Sequence, residues 1–568
     1  MLNAHGPMLN LRTPSAAAAL LGLGLLFVAL RWNSYDLPLV RDEGEYAYAA
    51  QLLKRGLLPY ENAFLQKPPM AVYTYALSAA IAPKIYWFPR VLAAMFVALA
   101  TGLLGLIARL EFGPRLAWPT MWLFTAMVVM PGIPQFAANT EVFLLLPLLA
   151  TFACYAVARH GRGGQSDLAS SANVARTALS AGLRSPARFF TRAGLSALFH
   201  EFAIRGGAAA WFMAGFFAAA MLLYKYTALP LAAFLFAAWS FQEWRAGAGL
   251  RALGRHWCLG LMGGGVAALA ALGLFLIHDG GRSLWECTIH FNRFYKNNAS
   301  FGLAALWFCL KLLWANWWLP FLLPCLLLLR PTPPVRFWLA TFLASWLATA
   351  ASIYGHYYIV VTPFWALLNA VAIDRAAGWL AAKLSGPLHL LNRIITAAVV
   401  LVICLPHLPW IFCTKDEFGA ARRGGTPYLE STDVARRVAE LSSPEDYVFV
   451  AGSEPQILSY AGRLSPTRFV IVYPLMFPSP LALGYQQEAI RDLEQRPPAL
   501  IVLSRSNTSW LVQPGSPGDF VSYLETLLAE RYQRVGGYVS ESRGEGWQEP
   551  LSDQQYAASS LVLYRRKK

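Results

Sequence analysis

The segment RDEGEYAYAAQLLKRGLLPYENAFLQKPP, residues 41–69, follows the first apolar run of the chain, opens with three acids and closes on a lysine and two prolines. A helix that starts near Asp42 places Glu45 and Tyr46 on the Asp42 side, at i+3 and i+4. Its apolar stripe predicts an amphipathic helix at a membrane surface that ends near Gly56. Because acids also favour any helix N-terminus, Asp42 and Glu43 alone do not distinguish a structural role from a catalytic one.

The end of the segment favours a catalytic role over a purely structural one. Pro68 and Pro69 are suited to the first turn of a helix, and Lys67 precedes them. A lysine beside the positive end of a helix is unfavourable unless an anion lies between them. The segment therefore combines carboxylates with a candidate phosphate site.

Composition places this segment in a membrane protein. Hydrophobic residues make up 57% of the 568 residues and charged residues only 14%, against about 25% in soluble domains. Apolar runs long enough to span a bilayer recur along the chain. Residues 414–568 carry 17 Lys and Arg against 18 Asp and Glu, a net charge of −1, so the remainder carries +17. Basic membrane loops and anionic lipid explain that charge, and no nucleic-acid motif is visible.

We predict a polytopic α-helical membrane domain over 1–413, with about eleven spans and interfacial helices in the first outer loop. The spans lie near 15–32, 90–109, 116–131, 142–158, 207–223, 227–241, 257–277, within 303–329, and near 337–353, 358–373 and 394–412. Residues 70–83 are too short to span and predict an interfacial or re-entrant helix. The arginines of loop 159–205 predict a cytoplasmic N-terminus in a multi-pass protein of the inner (plasma) membrane.

Residues 414–568 form a separate soluble α/β domain in this prediction, on the periplasmic or extracellular side. The runs YVFVAG, RFVIVYP and ALIVLS predict buried strands. Helical stretches at 431–441, 485–496 and 520–532 alternate with them, which favours a mostly parallel sheet.

Further charged groups fall on the same predicted outer side. Glu141 starts a span, Lys225 lies in a short apolar hinge, and Arg293 and Lys296 lie in an outer loop. The run YGHYY, 354–358, adds His356 and Tyr358 at the end of another span. Glu141 is equally explained as an interfacial charge, and His356 as part of the aromatic belt.

Carboxylates and cations on one membrane face are suited to sugar transfer from a lipid phosphate. A carboxylate deprotonates or orients the attacking hydroxyl, and cations stabilise the departing phosphate. Direct attack inverts the anomeric centre. The alternatives are a glycan ligase with a diphosphate-linked donor, a lipid or solute transporter, and a non-catalytic scaffold. Transporters usually place ionisable groups near the midplane, in repeated halves, and this sequence does neither.

The motifs DEGEYAYAAQ, QKPP, ANTEVFLLLP and YGHYY resemble the GT-C superfamily of membrane glycosyltransferases, over about residues 10–412. The likeness is to bacterial relatives of the protein O-mannosyltransferases and the lipid A aminoarabinose transferases. It implies a polyprenyl-phosphate-linked sugar as donor and a glycan, lipid or protein as acceptor.

The resemblance also implies roles for residues. It implies Asp42 as the base or orienting group, Glu141 as a further catalytic acid, and Lys67 as a group near the donor phosphate. To these we add Glu43 as a candidate catalytic acid, and Glu45 and Tyr46 as residues that shape the site or bind the acceptor. We group Arg293, Lys296, Lys225, His356 and Tyr358 with Lys67 as donor phosphate ligands. Aminoarabinose transferases have arginine at the position of Glu45, and a zinc-binding glutamate at that of Gln66, so a divalent metal ion stays open here.

Overall fold

The computed structural model describes residues 14–128, 137–161, 207–296, 302–422, 426–539 and 546–567. Most arginines of the predicted cytoplasmic loop lie outside the described residues, between 162 and 206. The assignment of each end of the molecule to a side of the membrane therefore stays a prediction.

Residues 14–412 form a helical bundle with one large apolar core. Seven helices of the described residues are long and apolar enough to cross a membrane. Each predicted span overlaps a helix, and the last one, 394–412, overlaps two, which confirms the polytopic α-helical architecture. The helices are α1 (Pro14–Arg31), α2 (Arg41–Lys54), α3 (Met70–Ile81), α4 (Phe88–Phe112), α5 (Ala117–Val128), α6 (Thr140–Gly161), α7 (Gly207–Tyr224), α8 (Leu229–Arg245), α9 (Leu250–Ile277), α10 (Gly281–Trp285), α11 (Phe291–Tyr295), α12 (Leu303–Leu322), α13 (Pro333–Leu347), α14 (Thr362–Leu384), α15 (Leu388–Cys404), α16 (Pro409–Phe412) and α17 (Lys415–Arg422).

The first loop contains two short helices, as predicted. α2 ends at Lys54, close to Gly56. The 12 residues of α3 extend about 18 Å, less than the hydrocarbon thickness of a bilayer. Tyr46 is buried in the core of the bundle, in agreement with the amphipathic pattern. The other face of α2 is buried as well, since Tyr48 packs into a second core that extends into the C-terminal region.

The C-terminal region is a five-stranded sheet in the order β1-β2-β5-β3-β4, packed with helices. Its elements are α18 (Ser431–Leu441), β1 (Val448–Ala451), α19 (Gln456–Ala461), α20 (Tyr473–Met476), α21 (Ala482–Gln495), β2 (Leu500–Ser504), α22 (Asn507–Trp510), α23 (Asp519–Arg531), β3 (Tyr532–Val539), β4 (Gly546–Gln548), α24 (Asp553–Ala558) and β5 (Ser559–Arg566). The three predicted helices and two of the three predicted strands are present.

Two predictions for this region are wrong. The sheet is mostly antiparallel, because β5 pairs antiparallel with both β2 and β3, and only β1 and β2 are parallel. The run 468–474 is a buried irregular segment leading into α20 rather than a strand. A short apolar run indicates burial, and burial alone does not select strand pairing.

The C-terminal region packs directly on α2. A Cβ at Gly44 would lie 2.5 Å from the backbone nitrogen of Gln456, so only glycine allows α2 and α19 to approach this closely. Arg41 donates from Nε to the carbonyl oxygen of Ser453 (2.6 Å) and forms an ion pair with Glu454 (3.3 Å). The helix that carries the acids of the opening segment is therefore fixed between the bundle and the sheet region.

Candidate active site

The first turn of α2 faces Lys67. The Nζ atom of Lys67 lies 3.2 Å from Oδ2 of Asp42 and 3.7 Å from Oε2 of Glu45. It also lies 5.5 Å from the centre of the Tyr46 ring. The predicted helical spacing of these three α2 residues thus brings them around one cation.

Two hydrogen bonds from other residues fix the backbone of the loop that carries Lys67. The Tyr60 hydroxyl donates to the carbonyl oxygen of Lys67 (2.8 Å), and Asn292 donates from Nδ2 to that of Gln66 (2.8 Å). Asn292 follows a π-helical turn over Glu286–His290, a feature often found at functional sites. These two hydrogen bonds fix the backbone of the loop, and the side chain of Lys67 extends from it toward Asp42 and Glu45.

Glu43 has a different environment from its neighbours. Its carboxylate is fully buried and pairs with Arg90, whose Nε and Nη2 lie 2.9 and 2.5 Å from the two oxygens. The backbone N–H of Ala138 donates to the same carboxylate (2.7 Å). Glu43 thus connects α2 to α4 and to the segment before α6. We assign it a positioning role, in place of the predicted catalytic one.

A second ion pair lies at the N-terminus of α6. Glu141 is paired with Lys225 and lies 3.9 Å from Nε2 of His356. The Nζ atom of Lys225 lies 2.8 Å from the centre of the Tyr357 ring. Thr74 on α3 shares a hydrogen bond with the hydroxyl of Tyr224 (2.8 Å), which fixes the chain just before Lys225.

The two pairs form one electrostatic unit. Burial opposes the charge of Asp42, but Lys67 and His356 outweigh burial and hold its pKa below the ordinary value. Burial also opposes the charge of Lys67, yet Asp42, Tyr46 and Glu45 raise its pKa well above the ordinary value. Asp42 and Lys67 are therefore both charged at neutral pH.

Glu45 behaves in the opposite way from Asp42. Burial, together with the charge of Asp42, outweighs Lys67 and raises the pKa of Glu45 to about 7. The protonation state of Glu45 consequently changes near neutral pH.

Several buried polar atoms around Lys67 lack a partner among the described residues. They are Oε1 of Glu45, the hydroxyl of Tyr46 and Nε2 of Gln66, the residue before Lys67. An unpaired buried polar group costs about 1–3 kcal/mol. A bound ligand that pairs with these atoms would remove that cost.

Three predicted site residues are not gathered here. Arg293 lies over the ring of Trp285, and Lys296 is exposed at the end of α11. The hydroxyl of Tyr358 donates to the carbonyl oxygen of Ser352 (2.8 Å), and its neighbour Tyr357 is the residue that meets Lys225.

Sequence reasoning missed Tyr357 and Arg90. The run YGHYY indicated the right place for Tyr357, but its periodicity did not distinguish adjacent tyrosines in a 3₁₀ turn. The signal for Arg90 was a lone arginine at the start of a long apolar run.

A metal site was left open by the sequence. In the described part of the chain no group of three or more His, Cys, Asp or Glu side chains could hold a metal ion.

No protein-family model and no curated protein matches the sequence, whereas solved structures do. ArnT from Cupriavidus metallidurans bound to undecaprenyl phosphate is similar over 97% of this chain and 98% of its own, with a TM-score of 0.61 and 16% identity. The same protein in its apo state has a TM-score of 0.59 at 15% identity, with the same coverage.

A second relative in structure is the archaeal oligosaccharyltransferase AglB from Archaeoglobus fulgidus, in complex with an inhibitory peptide and a dolichol-phosphate. It is similar over 97% of this chain and 78% of its own, with a TM-score of 0.51 and 12% identity. Identities this low bear on the fold alone. The chain therefore has the fold of ArnT and AglB, with a multi-pass helical region followed by an α/β region at its C-terminal end.

Proposed function

We propose that the protein is a membrane glycosyltransferase. It moves a sugar from a polyprenyl-phosphate-linked donor to a hydroxyl of a glycan, lipid or protein, at the outer face of the inner (plasma) membrane. The observation that carries this proposal is the pairing of Lys67 with Asp42 beside the Glu141–Lys225 pair. The fold of ArnT, described with undecaprenyl phosphate, and of AglB, described with a dolichol-phosphate, supports a lipid phosphate as ligand.

Lys67 binds the donor phosphate in this proposal. Lys67 lies just before the N-terminus of α3 in the sequence, and the backbone N–H groups of the first turn of a helix also favour an anion. Lys225 adds a second buried cation close enough to interact with Lys67 and Asp42. As the bond between the anomeric carbon and the phosphate oxygen breaks, these cations stabilise the charge that forms on the phosphate.

Asp42 acts on the acceptor. It is ionised at neutral pH, so it accepts a hydrogen bond from the attacking hydroxyl and orients the oxygen toward the anomeric carbon. The hydroxyl becomes acidic as its oxygen bonds to that carbon, and Asp42 then takes the proton. The lipid phosphate leaves with the electron pair of the broken C–O bond. A single displacement of this kind inverts the anomeric centre.

The charges of the site favour a singly charged donor. Asp42, Glu45 and Glu141 supply three carboxylates against the two lysines Lys67 and Lys225. A phosphodiester brings one negative charge, and protonation of Glu45 near neutral pH compensates for it. A diphosphate-linked donor would bring a further charge, and the described residues of this cluster include no third lysine or arginine to neutralise it.

The decisive experiment is a structure of the full chain with an added polyprenyl phosphate, paired with binding measurements. We expect phosphate density between Lys67 and Asp42. Lys67→Ala should weaken binding of the polyprenyl phosphate at least tenfold, because it removes the nearest cation. Lys54→Ala, at an exposed lysine in the last turn of α2, is the matched control and should bind normally.

Two results would contradict the proposal. Lipid in a midplane cavity, away from both residues, would favour a transporter. Normal binding and normal sugar transfer by a folded Lys67→Ala variant would show that the site lies elsewhere.

A further inference from the structure

The unpaired polar atoms of α2 point to a second ligand group beside the phosphate. Oε2 of Glu45 lies 3.7 Å from Lys67, whereas Oε1 has no hydrogen-bond partner among the described residues. The hydroxyl of Tyr46 is likewise unpaired there. Both side chains are only 1% exposed, so bulk water does not satisfy these atoms.

Both atoms lie close to the ammonium group of Lys67. The Tyr46 hydroxyl interacts electrostatically with Lys67, Asp42, Glu45 and Glu141, which places it among the charges of the site. The backbone of Gln66, next to Lys67, hydrogen-bonds the carboxylate of Glu45, and Nε2 of the Gln66 side chain is itself unpaired in this part of the chain. Two unpaired polar groups thus lie beside one cation, and the unpaired amide belongs to the residue whose backbone contacts Glu45.

The covalent structure of a glycosyl phosphate determines which part of the donor lies next to the unpaired atoms of Glu45 and Tyr46. The sugar is joined to the phosphate through a single oxygen, so its ring and nearest hydroxyls lie within a few ångströms of the group that binds the phosphate. If Lys67 binds the phosphate, side chains in contact with Lys67 lie where the sugar must be. Sugar hydroxyls both donate and accept hydrogen bonds, which satisfies a carboxylate, a phenol and an amide together.

We propose that Glu45, Tyr46 and Gln66 form the subsite that binds the donor sugar through its hydroxyl groups, and that this subsite discriminates against sugars that carry an acidic group. This inference rests on the proposed function. The discrimination follows from charge, because a carboxylate on the sugar would meet Glu45 and Asp42 without a further cation among the described contacts of the cluster. A like-charge contact in a buried site is strongly unfavourable.

The test measures how much the sugar adds to binding. The probes are a polyprenyl phosphate, the same lipid carrying a neutral hexose, and the same lipid carrying a hexuronic acid. The full chain should bind the hexose lipid about tenfold more tightly than the bare lipid phosphate, the size of one good hydrogen bond to a charged group. It should bind the uronic acid lipid at least tenfold more weakly than the hexose lipid.

The variants keep the size of the side chains: Tyr46→Phe removes the unpaired hydroxyl, and Glu45→Gln replaces the carboxylate by a neutral amide. Tyr46→Phe should bind the bare lipid phosphate within about threefold of the wild type, and both variants should lose most of the gain that the hexose adds over the bare lipid phosphate. Glu45→Gln should also reduce the discrimination against the uronic acid. The matched control is Tyr48→Phe, whose hydroxyl faces the C-terminal region and accepts from the backbone N–H of Ser465 (2.9 Å).

The outcomes separate this inference from the proposed function. If the bare lipid phosphate binds through Lys67 but both variants keep the full gain from the hexose, the sugar subsite is overturned and the proposed function stands. The sugar subsite is also overturned, with the proposed function intact, if donor binding is unchanged and only the KM of the acceptor rises. If the bare lipid phosphate fails to bind, the proposed function and this inference fail together.

Discussion

Both ends of the helical bundle contain buried carboxylates with both oxygens paired, and among the described residues the Lys67 end also contains Glu45, which has one unpaired oxygen. The 22 residues of α6 extend about 33 Å, so Arg159 lies at the opposite end from Glu141. There Glu111 is buried and accepts hydrogen bonds from Nη1 of Arg159 (2.8 Å) and Nε1 of Trp338 (3.2 Å), with Nε2 of His160 at 3.2 Å.

At the same end, the buried carboxylate of Glu243 is also fully paired. Oε2 of Glu243 lies 2.6 Å from Nδ1 of His256, and Nε1 of Trp239 donates to Oε1 (3.1 Å). Both oxygens of each carboxylate at this end have partners. At the Lys67 end, Glu45 shares one cation with Asp42 and leaves Oε1 unpaired among the described residues. Satisfied carboxylates hold helices together, whereas incompletely satisfied ones mark a place for a ligand.

The largest difference between the two ends is expected in the effect of a carboxylate substitution on catalysis. Asp42→Asn removes the group that orients the acceptor and takes its proton, and we expect turnover to fall at least about 10³-fold. Binding of the polyprenyl phosphate should change little, because Lys67 remains. Single-turnover transfer and lipid binding, measured on the same preparation, check this. A variant that still transfers sugar at a tenth of the normal rate would exclude Asp42 from the reaction.

The next comparison lies within α2 itself. Glu43→Gln leaves Arg90 buried without its counter-charge, and we expect a loss of about 3–5 kcal/mol in unfolding free energy. Glu45→Gln removes a charge that is only weakly paired, so its stability should be unchanged or higher. Chemical unfolding of the two variants in the same detergent provides the measurement. Equal losses would mean that Glu45 is as fully satisfied as Glu43.

Stability should also depend on pH through Glu45. Its pKa is about 7 in the folded protein and near 4.5 when unfolded. The folded state therefore holds the extra proton between these values, and stability falls as pH rises from about 4.5 to 7 and is then constant. The loss is at most about 3 kcal/mol relative to Glu45→Gln, which lacks this titration. Parallel pH curves for the two proteins would place the pKa of Glu45 at its ordinary value.

Much of the membrane fold is predictable because its signal is local. A long apolar run has few alternatives to a spanning helix, since a bilayer leaves no other way to pair the backbone. The sheet of the C-terminal region lacks such a signal. The pairing of β5 between β2 and β3 joins segments far apart in the chain, and no local pattern specifies it.

The candidate site shows the same difference between local and long-range signals. Asp42, Glu45, Tyr46 and Lys67 lie within one short segment, so helical spacing and the lysine–proline signal located them. The partner of Glu43 is Arg90, 47 residues away, and nothing around Glu43 distinguishes it from Asp42 in sequence. The assignment of Arg293 and Lys296 to the phosphate site rested on their loop alone; Arg293 lies over the ring of Trp285, and Lys296 is exposed.

The smallest effect on catalysis is expected at the opposite end. Glu111→Gln weakens the charged hydrogen bonds with Arg159 and His160 and should cost about 1.5–3 kcal/mol of unfolding free energy. Turnover at saturating donor should stay within about threefold of the wild type, because both oxygens of Glu111 already have partners and lie far from Lys67. Thermal unfolding and the transfer rate, measured together, test this. If transfer fell as steeply as in Asp42→Asn while the protein remained folded, the satisfied cluster would take part in the reaction. Pairing would then no longer be a criterion for separating structural from catalytic carboxylates in this fold.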